Sequence, residues 1–124
     1  MATFLGLVVL AAGGCGESDA DQVRSTVSDF RKATDDRDYG RICKDILATD
    51  LVRRLDALGL PCETALSRYL ARTRKPKIRV KNVKVKGRTA TANVSSSAEG
   101  QPESRDTLEL VREDGSWKIS SLGS

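Results

Sequence analysis

The sequence predicts an α+β protein in which N-terminal helices pack on one face of a curved antiparallel sheet. Three observations carry that reading. From Ile78 to Val94 apolar residues alternate with polar ones, first Ile78 and Val80, then Val83 and Val85, then Ala90, Ala92 and Val94. A period of two makes strands with one buried and one wet face. Leu108, Leu110, Trp117 and Ile119 alternate in the same way around Asp114–Gly115, a strong hairpin-turn signal. Before residue 74 the apolar residues instead recur at intervals of three and four, the spacing of helices with one buried stripe. A block of helices followed by a block of strands is the α+β order.

The chain opens on an address. Phe4–Ala12 is an uninterrupted apolar run, too short to span a bilayer as a mature helix. Gly13, Gly14 and Cys15 follow. An apolar segment, small residues and a cleavage point are the parts of an export signal. With cysteine as the first residue after the cut, the segment resembles the lipobox of bacterial lipoproteins, whose thiol is diacylated. Residues 1–14 then form a signal peptide, Cys15 is the lipidation site, residues 15–21 are a polar tether, and residues 22–122 form a single α+β domain. The expected location is extracytoplasmic, lipid-anchored at a bacterial cell membrane.

Ser18 or Asp19 can cap a first helix whose apolar stripe is Val23, Val27, Phe30 and Ala33. Residues 35–40 end it. Asp36, Asp38 and Gly40 faintly resemble a calcium loop but lack its third ligand and its later Glu, so no metal is expected. Tyr39, Ile42, Cys43, Ile46 and Leu47 give a second helix. Thr49 caps a third with Leu51, Leu55 and Leu58, stopped at Gly59. Pro61 opens a fourth that buries Cys62, Leu66, Tyr69 and Leu70, and Pro76 breaks to the sheet.

In the sheet half, the apolar phase slips by one between Val80 and Val83, which places a β-bulge at Lys81–Asn82. Gly87 takes the first hairpin turn. Residues 95–104 read as a polar loop. Asp106–Arg112 is a strand with Leu108 and Leu110 inward, and Trp117 and Ile119 lie in the closing strand.

Setting Cys15 aside leaves Cys43 and Cys62, a lone pair that in an exported protein forms a disulfide, here between two helices. The spacing is not CxxC, and a chain without His lacks the usual zinc ligands. Charge is uneven. Residues 15–73 carry 10 basic and 11 acidic side chains, residues 74–124 carry 11 and 6. Arg79, Lys81, Lys84 and Lys86 alternate on the wet face of the first strand. They are either a charged face that discourages edge pairing or a surface for a polyanion or protein partner. No nucleic acid is expected, because no aromatics are interleaved for base stacking.

These parts, in this order, resemble the cone-shaped nuclear transport factor 2-like fold in its exported lipoprotein branch. The likeness rests on Val23, Val27, Phe30 and Ala33, on Asp38 ahead of Cys43, and on Cys62. It continues through the hairpin from Val83, Lys86 and Gly87 to Ala90, Ala92 and Val94, and through LELVREDGSWKIS at 108–120. The resemblance implies a conical cavity between sheet and helices, used in the wider superfamily by isomerases, cyclases and dehydratases or for binding. Fold alone does not choose among these. Without His, nucleophile elbow or phosphate loop, the expectation is a non-catalytic binding or interaction module at the cell envelope, with no cofactor. The alternative is a small-ligand-binding or isomerase-like protein using the cone. Phe30, Tyr39, Tyr69 and Trp117 are the candidates to line a pocket, though each can equally be core. Expected partners are the membrane through the anchor, an envelope protein, polymer or small ligand, and a second copy through the sheet.

Overall fold

A computed structural model describes residues 18–123, so the expected export signal and lipidation site at Cys15 lie outside the described residues. The Ser18 side chain accepts the Asp21 backbone N–H at 3.1 Å, and Asp19 and Asp21 place negative charge in the first turn, where the helix dipole favours it. The first helix, α1, is therefore Asp19–Asp35. The last residues of the expected tether belong to it, because a good cap moves the helix start upstream.

The second helical segment is not the single helix its spacing suggests. It begins as a short turn, α2 (Tyr39–Arg41), capped by Asp38, whose Oδ1 accepts the Arg41 N–H at 3.1 Å. Ile42–Ile46 then widen into a π-helical turn, closed by the Leu47 N–H donating to the Ile42 carbonyl at 2.9 Å. The widened turn buries Ile42 and Ile46 and delivers Leu47 and Ala48 to the sheet. Leu47 bridges Ile119 in parallel, and the Ala48 N–H donates to the Ile119 carbonyl at 2.8 Å.

α3 is Thr49–Ala57 and α4 is Cys62–Tyr69. Thr49 is the first residue of α3 rather than its cap. The capping group comes from the far end of the chain, where the Glu113 carboxylate accepts the Thr49 N–H at 2.7 Å. Leu58, expected in the buried stripe, is 74% exposed, as is Tyr69. Both sit where a helix ends and the face turns away from the core.

Four antiparallel strands, β1 (Lys77–Lys86), β2 (Thr89–Ala98), β3 (Gln101–Glu113) and β4 (Ser116–Ser121), form one open sheet in the order 1-2-3-4. The bulge is where the slipped phase puts it: Val80 pairs with Val94 and Asn82 with Asn93, leaving Lys81 as the extra residue. Gly87 has φ +61, and Asp114 and Gly115 have φ +49 and +81, the doubly left-handed turn that fits strand twist. The expected loop at 95–104 is instead strand. Ser95 pairs with both Arg79 and Arg105, and Ser96 with Ile78 and Ser104. Pro102 is tolerated because β4 does not reach that part of β3.

α1 packs across the inner face against β1 and β4. Val23, Val27 and Ala33 meet Ile42, Leu110 and Ile119 in one contiguous core. The buried core runs from Val23 to Ile119, with Leu122 packed against it, so the whole of it lies within the described residues. Cys43, on the π-helical turn, and Cys62, in the first turn of α4, are joined by a disulfide across a Cα–Cα distance of 6.0 Å. Closing a loop of this length lowers the entropy of the unfolded chain, worth roughly 3 kcal/mol. Replacing both cysteines by Ala should lower the urea-unfolding free energy by about that amount. Two thiols reactive in the native protein would contradict the bond.

Candidate functional site

The cone's open end lies at the C-terminal end of α1, where the helix stops short of covering the sheet. A cavity of about 340 Å³ opens there. Its apolar wall comes from Phe30, Leu70, Ile78, Val94, Leu108 and Leu122. Its polar wall is a row on the inner faces of β2 and β3. The Ser96 and Ser104 hydroxyls stand 3.2 Å apart across the strands, and Ser104 donates to Asp106 Oδ2 at 3.1 Å. Thr34, also on the wall, is satisfied internally, donating to the Phe30 carbonyl at 2.7 Å.

The rim is tied rather than loose. The segment between α4 and β1 is fastened to the β2–β3 hairpin by Gln101 Nε2 donating to the Arg72 carbonyl at 3.1 Å. The Glu99 N–H donates to the Arg74 carbonyl at 2.8 Å, and Lys75 pairs with Glu99 at 3.2 Å. A preformed mouth with apolar walls and a few convergent polar groups is the usual form of a small-molecule site.

Of the four aromatic candidates, Phe30 and Tyr69 line this mouth, Tyr69 as an exposed rim residue. Tyr39 does not; it stands with Gly40 and Glu63 in a separate shallow depression. Trp117 is 3% exposed in the closed end of the cone. Its backbone carbonyl accepts from Thr26 at 3.0 Å, and its Nε1 lacks a partner. Trp117 is core. Asp106 is the residue that sequence reasoning missed. It shares the parity of Leu108 and Leu110, so the alternation that sent those inward sends its carboxylate into the cone. Asp38 caps α2, and among the described residues no cluster of three metal-ligating side chains occurs.

The four basic residues of β1 share the outer face but do not form one patch. Glu103 stands among Arg79, Lys81 and Arg105. Its carboxyl is held below the ordinary glutamate value, first by the Ser95 hydroxyl that donates to it and then by those three cations, with desolvation opposing. Arg79 and Lys81 are thus partly compensated, whereas Lys84 and Lys86 lie beyond them toward the β1–β2 turn. Between the two pairs runs a polar ladder in which Thr107 donates to Asn93 at 2.8 Å and Asn93 to Asn82 at 2.6 Å.

A folded-state pKa below the unfolded one contributes stability above the unfolded value, lost as pH falls through the folded value. In an NMR titration, the Glu103 carboxyl should therefore show a midpoint below 4.5, and Ser95→Ala should raise it. A midpoint indifferent to Ser95→Ala would show that the hydroxyl is not the main cause.

Comparison with known proteins follows the geometry. Residues 61–122 match the family described as "Low molecular weight antigen MTB12, C-terminal domain". No curated protein matches the sequence. Among solved structures, the "De novo designed NTF2 fold protein NT-9" superposes with a TM-score of 0.56 at 14% identity, covering 86% of this chain and 87% of that chain. At that identity the likeness speaks for the fold alone, a nuclear transport factor 2-like α+β architecture.

Proposed function

The chain belongs to the family of the low molecular weight antigen MTB12 C-terminal domain, and from that premise we propose that it is a non-catalytic binding module of the cell envelope. In this reading the domain is tethered outside the membrane by a lipid on Cys15 and takes a small ligand into the mouth of its cone. The observation that carries the reading is the mouth itself, a tied, open cavity of about 340 Å³ with an apolar wall facing the Ser96–Ser104–Asp106 row. Such a site suits an amphipathic molecule whose apolar body lies against Phe30, Leu70 and Leu108. A hydrogen-bond donor or cationic group on it would reach the Asp106 carboxylate.

The Cys43–Cys62 disulfide supports the extracytoplasmic setting, because thiols of cytoplasmic proteins are kept reduced. Membership of an antigen family is in keeping with it. No helix of the described residues is long and apolar enough to cross a membrane, so attachment in this reading comes from Cys15. Replacing Cys15 by Ser should move the protein from the membrane to the soluble fraction. Unchanged partitioning would end the anchor part of the proposal.

A second reading has one specific observation behind it. Asp106 is a carboxylate on the polar wall of the cavity, facing its apolar side, where an isomerase- or cyclase-like enzyme would want its general base. Native mass spectrometry of protein exported through an oxidising compartment tests the site under both readings. A small molecule retained by the protein, and lost with Leu108→Trp filling the mouth, is expected. A bare mass across host extracts would remove the mouth as a ligand site. Asp106→Asn then separates the readings: a binder loses its ligand, and an enzyme retains an unconverted one.

A further inference from the structure

The hairpin end of the molecule, opposite the mouth, carries the larger concavity. Between α3 and the outer sheet face lies a groove of about 1070 Å³. Its cations are Arg53 and Arg54 from α3, Lys84 and Lys86 from β1, Arg88 from the β1–β2 turn and Arg112 from β3. Two of the acids on these walls are already engaged, Asp50 with Arg53 at 3.3 Å and Glu113 with the Thr49 N–H at 2.7 Å. The third, Glu109, is separated from Lys84 by Thr91 on the intervening strand. The Arg54 and Arg88 guanidinium groups donate to the carbonyls of Ser120 and Arg112, at 3.4 and 3.3 Å. Those are neutral acceptors that leave the charge uncompensated. Among the described residues no carboxylate pairs with Lys84, Lys86, Arg54 or Arg88.

The point where the chain leaves the domain says what faces this groove. Arg112, on the groove wall, pairs with Asp19 at 3.5 Å. The first turn of α1, and Ser18 before it, therefore lie at this end of the molecule. The mouth is at the other end of α1, 17 residues or about 25 Å away at the helical rise. Cys15 precedes Ser18 by three residues, a reach of at most about 10 Å, close to the Debye length of about 10 Å at 0.1 M salt.

We infer that this groove docks on the anionic phospholipid headgroups of the bilayer, with Lys84, Lys86 and Arg88 as the leading contacts, and orients the domain with its mouth outward. The geometry rests on the lipid-anchor reading of Cys15; the charge of the groove does not. An acyl anchor combined with a basic patch is the two-signal arrangement that holds proteins stably at membranes. Each basic side chain near an anionic surface strengthens partitioning roughly fivefold.

The test uses residues 18–124, which lack the anchor and contain the whole core. Their co-sedimentation is measured with vesicles of phosphatidylcholine alone and with vesicles about one-third phosphatidylglycerol. Binding to the anionic vesicles alone is expected, falling steeply as salt is raised. Lys84→Ala with Lys86→Ala should weaken it more than tenfold, while Arg72→Ala with Arg74→Ala, at the mouth end, should leave it unchanged. Equal binding to both vesicles, no binding, or equal loss in both double variants overturns the inference. So does binding of polyphosphate in solution without binding of vesicles, which would make the groove a polymer site. Because Cys15 is absent from this experiment, failure here leaves the anchor standing, and failure of the anchor leaves this result standing.

Discussion

A four-stranded open sheet with one apolar face must be covered, and the packing of α1 across that face is the interaction on which the rest of the structure depends. Val23, Val27 and Ala33 are fully buried against it. The covering works only because β1 changes phase. Without the extra residue at Lys81, Ile78 and Val80 could face inward only if Val83 and Val85 faced water, since the side-chain period is two. With the bulge, one strand supplies apolar residues to both halves of the cone.

The remaining elements close the edges that α1 leaves. The π-helical turn brings Leu47 and Ala48 alongside β4, giving the sheet's last strand a partner along part of its edge, and the disulfide fixes that turn to α4. Where α1 ends, part of the inner faces of β2 and β3 stays open among the described residues, and their serines and Asp106 face the apolar wall across the cavity. The mouth is thus a consequence of helix length against strand length: β3 runs 13 residues, and α1 ends at Asp35. The helix also sets the two ends of the molecule apart, with the cavity at one and Ser18 at the other.

Most of this architecture was legible because it is written in local spacing. The stripe of α1, the bulge, the Asp114–Gly115 turn and the inward Trp117 and Ile119 all follow from periods of 3.6 or 2. What escaped is non-local or compositional. Serines favour turns, so residues 95–98 read as loop, yet strand neighbours on both sides satisfy their backbone. The Glu113 cap on α3 joins residues 64 apart in sequence. The π-helical turn adds a residue to one turn and so spoils a helical register drawn through Tyr39 and Leu47. Tyr69 follows the spacing of Leu66 and Leu70 but falls on the last residue of α4, where the face is already turning to solvent. Asp106 was readable by parity and was hidden by its chemistry, since a carboxylate is expected on the wet side.

In the proposed function the molecule works through the uncovered end of its cone. The most direct test is amide and methyl chemical-shift mapping on residues 18–124 while small amphipathic amines are titrated in. The expected shifts are confined to Phe30, Leu70, Ser96, Ser104, Asp106 and Leu108, saturate together and are abolished by Asp106→Asn. Shifts confined to the outer sheet face, or none at the mouth at saturating amine, would contradict it.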